Sequence, residues 1–270
     1  MGRVAQCFKT LGEQGRKALV TYVVAGDPQP ETTVPLLHAM VEAGADILEV
    51  GFPFSDPMAE GPVIQLGHER ALGNGMSLRR VLDMVAEFRE TDSDTPVVLM
   101  GYANPIERMG YDVFAQQASA VGVDALISVD IPPEEIECMS AALQDAGLDA
   151  IFLVAPTTPD ERIARIVASA SGFVYCVALK GVTGAGHLDT AAVAEQVAAI
   201  RAHTSLPVAV GFGIKDADSA RTVAAAADGV VVGSALVDAV AQQGGAGEAG
   251  IGAAASLIAE IRSGMDGVAS

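Results

Sequence analysis

Eight short apolar runs alternate with amphipathic segments along the whole chain, and this alternation limits the possible folds more than any other feature. Each run is continuously apolar, as expected for parallel strands that are covered on both faces. The predicted strands are Leu19–Ala25, Ile47–Val50, Val97–Met100, Ala125–Val129, Ile151–Val154, Phe173–Ala178, Val208–Val210 and Val230–Val232. The predicted helices that follow them are Glu31–Ala43, Ser77–Glu90, Val113–Ala120, Glu134–Ala146, Asp160–Ala170, Ala191–Ala202, Asp216–Ala227 and Ile251–Arg262.

Strict alternation of strand and helix predicts an α/β fold, a single (β/α)8 TIM barrel over residues 1–270. A doubly wound sheet is the alternative fold, but it would need fewer parallel units or a reversal of strand order. A recurring junction that contains a glycine and an aspartate between a helix and the next strand supports the barrel, because a glycine with positive φ can end each helix. The junctions are at residues 43–46, 121–124, 146–149 and 227–229. An extra N-terminal helix, Val4–Gln14, is expected to close the bottom of the barrel.

The composition is that of a globular protein with an acidic surface. Half of the 270 residues are hydrophobic, yet no apolar stretch is long enough to cross a bilayer. The formal net charge of -18 argues against a nucleic-acid-binding protein, which would need a basic face. The N-terminus lacks the pattern of a secretory signal, and the three cysteines lack metal-ligand spacing. We therefore expect a cytoplasmic protein with reduced thiols.

A carboxylate interrupts the second predicted strand. Glu49 lies near the end of the run Ile47–Val50, where a charge is costly unless something compensates it. The proline-rich loop that follows carries a second acid, Glu60. A rigid acid facing an acid on a loop suits proton transfer at two points of one substrate. The structural alternative is that backbone amides satisfy Glu49 within the core and that Glu60 is a solvated charge.

Glycine-rich turns follow the seventh and eighth predicted strands. Gly211-Phe212-Gly213 follows the seventh, and Gly233-Ser234 follows the eighth and opens a short helix. Glycines allow backbone N–H groups to approach an anion, and a helix N-terminus adds a favourable dipole. These turns predict a phosphate site at the position where many barrels bind phosphate. Simple tight turns are the alternative.

A third glycine-rich segment, residues 180–187, follows the sixth predicted strand and has the composition of a lid that closes over substrate. His187 lies in it, but with no partner nearby in the sequence it is best interpreted as an ordinary loop histidine. The four histidines show no metal-ligand spacing, and the sequence contains no cofactor-binding fingerprint.

At these positions the sequence resembles the α subunit of tryptophan synthase. The matching segments are Tyr22 with Gly26-Asp27-Pro28, Leu48–Gly61, Tyr102-Ala103-Asn104, Gly181–Gly184, Gly211–Ile214 and Gly233-Ser234. The resemblance implies a lyase of tryptophan biosynthesis that cleaves indole-3-glycerol phosphate to indole and glyceraldehyde 3-phosphate. It also implies no cofactor in this chain and a β-subunit partner that holds pyridoxal phosphate, in an α2β2 complex.

The resemblance further implies roles for individual residues. Glu49 is expected to protonate indole C3 and to act as the base toward the glycerol hydroxyl, while Glu60 accepts a hydrogen bond from indole N1–H. The implied substrate-binding residues are Tyr22, Met100, Tyr102, Ile127, Tyr175, Thr183 and Phe212. The implied phosphate-binding residues are Gly184, Gly213, Gly233 and Ser234. Thr183 is expected to contact Glu60 when the lid closes.

Glu60 departs from the family pattern, in which the second acid is commonly aspartate, and its extra methylene moves the carboxylate by about one bond length and adds a rotatable bond. Three other functions compete with the implied one. A Schiff-base aldolase could use Lys180 after the sixth strand. A non-catalytic regulatory subunit would need one of the two acids to be lost, yet both positions are acidic. A lyase that acts without a β subunit is the third alternative.

Overall fold

The computed structural model describes residues 1–132, 135–178, 190–211, 213–242 and 247–267. Eight parallel strands pair in chain order, and β8 pairs with β1, so the sheet closes into a barrel. The strands are β1 (Ala18–Val24), β2 (Ile47–Gly51), β3 (Val97–Gly101), β4 (Ala125–Ser128), β5 (Asp149–Val154), β6 (Val174–Val177), β7 (Val208–Gly211) and β8 (Gly229–Val232). The closed barrel confirms the predicted fold class and excludes the open doubly wound sheet.

The described helices surround this barrel, and none of them is long and apolar enough to span a membrane. They are α1 (Arg3–Glu13), α2 (Pro30–Glu42), α3 (Pro62–Gly73), α4 (Leu78–Arg89), α5 (Ala103–Met109), α6 (Tyr111–Ala120), α7 (Glu137–Asp145), α8 (Asp160–Ala168), α9 (Thr190–Arg201), α10 (Ala217–Ala224), α11 (Ser234–Gln242) and α12 (Glu248–Asp266). The extra helix α1 and the helix that opens at Ser234 lie where the sequence predicts them. Helices α3 and α5 are additions to the prediction, and the first of them carries side chains of the site.

Three of the strands end on a glycine that faces an aromatic side chain. A Cβ atom at Gly51 would overlap the hydroxyl of Tyr22, and one at Gly211 would overlap the hydroxyl of Tyr175. A Cβ atom at Gly101 would overlap the ring of Phe52. For these three strands the predicted end was one residue too early, because the apolar pattern stops at the glycine while the backbone pairing continues through it.

The junction aspartates tie neighbouring strands together. In three junctions the carboxylate accepts the backbone N–H of a residue at the start of the preceding strand and also pairs with an arginine. The bonds are Leu19 N–H to Asp46 at 2.8 Å, Val97 N–H to Asp124 at 2.8 Å and Val208 N–H to Asp228 at 2.9 Å. The arginine partners are Arg262, Arg89 and Arg201, respectively. These contacts stabilise the end of the barrel at which the strands begin, which is the end opposite the cavity described below.

The glycine prediction holds at three of the four junctions. Gly44, Gly122 and Gly147 have positive φ angles of 111°, 87° and 74°. The fourth prediction is wrong, because Gly229 is the first residue of β8 and has an extended backbone. A Cβ there would lie 3.2 Å from that of Ala209 and 3.3 Å from the carbonyl oxygen of Ala18, so this glycine permits close strand packing.

Candidate active site

Glu49 is a buried acid whose carboxylate has no hydrogen-bond partner among the described residues. It lies on β2 between Tyr22 of β1 and Val98 of β3, and its residue surface is only 1% exposed. Neither carboxylate oxygen is hydrogen-bonded within the described structure. The structural alternative, in which backbone amides satisfy Glu49, is therefore wrong. An unpaired acid in an apolar barrel is costly to the fold, and such a group belongs more often to a functional site than to a structural one.

Glu60 is the second acid, and the loop between β2 and α3 brings it to the same cavity as Glu49. Burial raises the pKa of Glu49 to about 8, and the negative charge of Glu60 adds to the rise. Burial also raises the pKa of Glu60, to about 7. Near neutral pH the pair therefore supplies one protonated carboxyl, on Glu49, beside a carboxyl that ionises more readily.

The cavity lies at the C-terminal ends of the strands and has a volume of about 640 Å³. This volume falls within the range of roughly 300–1,000 Å³ found for small-molecule sites. Its lining brings together eight of the residues predicted for the site, namely Tyr22, Glu49, Glu60, Met100, Tyr175, Gly213, Gly233 and Ser234. The strand-end glycines described above keep this end of the barrel open, because side chains there would collide with Tyr22 and Tyr175.

One side of the cavity contains groups suited to an anion. Gly213 follows β7, Gly233 follows β8, and Ser234 is the first residue of the nine-residue helix α11. Lys215 lines the same cavity, and the pattern that predicted glycine-mediated binding did not identify it. Asp238, one turn into α11, also lines the cavity and accepts a hydrogen bond from Gln242 at 2.5 Å.

Tyr102 and Ile127 lie close to the cavity without being among its described lining residues. Ile127 pairs with Met100 across β3 and β4 and is fully buried. Tyr102 is buried too, and its hydroxyl accepts the backbone N–H of Ala59 at 2.9 Å. Its contact in this structure is therefore with the loop that carries Glu60.

The remaining predicted residues lie outside the described part of the chain. These are Thr183, Gly184 and Phe212, together with Lys180 and His187 of the third glycine-rich segment.

The Glu60 loop, residues 52–61, is anchored from several directions. The ring of Phe54 stacks on Tyr102 with centroids 5.0 Å apart. From α3, Gln65 Nε2 donates to the Glu60 carbonyl oxygen at 2.9 Å, and His68 Nδ1 accepts the Phe54 N–H at 3.0 Å. The sequence prediction identified neither Gln65 nor His68. The available signal was Pro62, a favoured first residue of a helix, which would have placed both side chains on one helical face.

The apolar lining of the cavity also includes residues that the sequence did not predict. Leu153 and Val177, from β5 and β6, complete the wall that begins with Met100 and Tyr175. Leu257 reaches the cavity from the distant helix α12. Residues on a C-terminal helix cannot be assigned to a barrel mouth from strand periodicity alone.

Comparison with known proteins agrees with this geometry. The model of the family described as "Tryptophan synthase alpha chain" matches residues 8–264. The tryptophan synthase alpha chain of Thioalkalivibrio sulfidiphilus is 59% identical over 266 residues, which cover 98% of this chain and 100% of the relative. That of Nitrosococcus oceani is 61% identical over 242 residues, covering 90% of this chain and 89% of the relative.

A solved structure gives the same result for the fold. The crystal structure of tryptophan synthase subunit alpha from Legionella pneumophila superposes with a TM-score of 0.92 at 44% identity, over 99% of this chain and 100% of that one. The matched span, residues 8–264, contains both acids and every cavity-lining residue named above. The chain therefore belongs to the tryptophan synthase alpha chain family.

Proposed function

We propose that Glu49 and Glu60 carry out the lyase reaction of this family in the cavity at the barrel mouth. The reaction cleaves indole-3-glycerol phosphate to indole and glyceraldehyde 3-phosphate in tryptophan biosynthesis. The observation that supports the assignment most directly is the buried carboxyl of Glu49, which has no hydrogen-bond partner in the described part of the chain and lines a cavity of about 640 Å³ together with a second acid. An acid whose pKa is raised to about 8 is held protonated near neutral pH, as a general acid must be.

The proposed reaction is a retro-aldol cleavage in which Glu49 both gives and takes a proton. Its carboxyl protonates indole C3, and the ring becomes an indolenine whose positive charge is centred on N1. The Glu60 carboxylate accepts a hydrogen bond from N1–H and stabilises that charge. The Glu49 carboxylate then removes the proton of the glycerol hydroxyl, the C–C bond breaks, and its electron pair restores the indole ring. Glu49 ends protonated as it began.

We assign the indole ring to the apolar part of the cavity. Tyr22, Met100 and Tyr175 supply the described wall, and Ile127 and Phe212 keep the roles that the sequence resemblance implies. The phosphate is assigned to Gly213, Gly233 and Ser234, with Gly184 as the further predicted ligand. The start of α11 supports this assignment, because the first N–H groups of a helix and its dipole favour an anion.

The family implies a β-chain partner, and we propose further that the complex is α2β2, that it is cytoplasmic and that the β chain holds the pyridoxal phosphate. We also propose that the whole chain, residues 1–270, is a single barrel domain. One assay distinguishes this complex from the alternative, a lyase that acts without a β chain. The paired model expects indole production to rise when β chain is added, whereas the independent lyase would be unaffected.

The test of the site is Glu49→Gln, which keeps the shape of the side chain and removes its transferable proton. We expect turnover to fall by about 100- to 10,000-fold, the contribution of a positioned acid or base, while the fold persists by circular dichroism. Turnover within threefold of the unaltered chain would refute the assignment. Borohydride added during turnover is expected to trap no adduct, and a trapped adduct at Lys180 would favour the Schiff-base aldolase.

A further inference from the structure

His68 connects two parts of the active site while contacting neither acid directly. It lies on α3, and its residue surface is only 1% exposed. Its Nδ1 atom accepts the backbone N–H of Phe54 at 3.0 Å, and its Nε2 atom lies 3.5 Å from the hydroxyl of Tyr22. Phe54 belongs to the Glu60 loop, whereas Tyr22 is the register partner of Glu49.

These two contacts require one form of the imidazole. Because Nδ1 accepts a hydrogen bond, it carries no proton, and the neutral ring must hold its proton on Nε2. Nε2–H then points at the Tyr22 hydroxyl oxygen as a donor. Burial also lowers the pKa of His68 to about 4, so the ring remains neutral at the pH of catalysis.

Phe54 is connected to the Glu60 end of the loop through Tyr102. The Phe54 ring stacks on Tyr102, and the Tyr102 hydroxyl accepts the N–H of Ala59, the residue immediately before Glu60. Loss of the acceptor at Nδ1 would leave the Phe54 N–H without this partner and free the first part of the loop to move. A displacement of about 1 Å in a reacting group can lower a rate roughly 100-fold.

We propose that His68 is a positioning residue for the lyase reaction: through its bond to Phe54 N–H it holds the Glu60 loop in register with Tyr22 and Glu49. This inference rests on the proposed roles of the two acids. The competing interpretation is that His68 only fills space in the core. A space-filling role depends on side-chain volume, whereas the positioning role depends on an acceptor at the Nδ1 position.

Two amide substitutions separate these roles. The side-chain oxygen of asparagine occupies about the position of Nδ1, so His68→Asn keeps an acceptor for Phe54 and loses the contact with Tyr22. Glutamine reaches the position of Nε2 instead, so His68→Gln keeps more of the volume and loses the acceptor. His68→Leu removes both polar atoms. His38→Asn is the matched control, because the ring of His38 packs at a tilt against that of Phe88, with centroids 4.6 Å apart, and His38 is not among the described lining residues of the cavity.

The experiment measures kcat and KM for indole-3-glycerol phosphate cleavage, together with the thermal midpoint, for each chain in complex with its β chain. We expect His68→Gln and His68→Leu to lower kcat by about 10- to 100-fold with KM changed less than about threefold, as for displacement of a reacting group. His68→Asn is expected to retain kcat within about threefold, although it is the smaller side chain. His38→Asn is expected to match the unaltered chain.

Equal losses in His68→Asn and His68→Gln would overturn the inference, and so would unchanged turnover in His68→Gln. If His68→Leu fails to fold, the kcat values of His68→Asn and His68→Gln still distinguish the positioning role from the space-filling role. Failure of the proposed function gives a different result, since the unaltered chain would then cleave no substrate or Glu49→Gln would remain active. Normal cleavage, an inactive Glu49→Gln and fully active His68 variants would refute only the role of His68.

Discussion

The charge of Glu60 acts on Glu49: both acids line one cavity, and the ionised Glu60 carboxylate adds to the burial that raises the pKa of Glu49. Ionisation of one acid therefore opposes ionisation of the other. This coupling favours one proton shared across the site, held on the more deeply buried acid.

A pH profile tests this arrangement. Catalysis as proposed needs Glu60 ionised and Glu49 protonated, so kcat/KM should be bell-shaped, with limbs near pH 7 and pH 8, the raised values of the two acids. In Glu60→Gln the acid limb should disappear. The remaining alkaline limb should move to lower pH, because the repelling charge near Glu49 is gone. An alkaline limb that stays in place would contradict the coupling.

Stability should depend on pH through Glu49. Its folded pKa is raised to about 8 from 4.5, so the folded state binds more protons than the unfolded state between these values. The free energy of unfolding should therefore fall as pH rises through this window and level off above it. Glu49→Gln should remove the larger part of this decline, leaving the part due to Glu60, whose pKa is raised to about 7, and should stabilise the fold at pH 9 by a few kcal/mol, as measured by urea titration at pH 6 and pH 9. A decline in the variant as steep as that of the unaltered chain would refute this prediction.

Gly211→Ala should damage the cavity wall. Its Cβ would overlap the hydroxyl of Tyr175, so the ring must move into the indole site or the strand must shift. Overpacking of this kind costs about 1–3 kcal/mol of stability, and we expect KM to rise with it. The control is Gly252→Ala on α12, where a Cβ meets no atom within 4 Å. That variant should be as stable as the unaltered chain or more so, because alanine favours helix. Similar behaviour of the two variants would contradict the crowding at Tyr175.

Ser234→Asp should weaken phosphate-bearing ligands far more than indole. A carboxylate on the first residue of α11 would repel the phosphate and compete with it for the backbone N–H groups at the helix start. Calorimetric titration with glycerol phosphate and with an indole analogue measures the two affinities separately. Ser234→Ala, which keeps the amides, should retain most of both. Equal losses for the two ligands in Ser234→Asp would place the phosphate elsewhere.

Sequence alone predicted the barrel and both acids, because these features can be recognised from residues that are close together in the chain. Parallel strands that are covered on both faces are continuously apolar, and Glu49 is visible as the charge that breaks such a run. The glycines of the helix–strand junctions were predictable for the same reason, since a positive φ angle is a local property. At Gly229 the same pattern failed, because that glycine permits close packing between strands.

The contacts that position Glu60 were decided only by the tertiary structure. The sequence resemblance predicts that Tyr102 binds substrate, yet its hydroxyl accepts the N–H of Ala59, a loop residue 43 positions earlier in the chain. His68 lies in a segment for which the sequence predicted no helix, yet it joins that loop to Tyr22, which lies 46 positions earlier in the chain. Periodicity and composition record how a residue suits its own strand or helix. Which side chains meet at the barrel mouth depends on closure of the sheet, which brings together residues that are far apart in the chain.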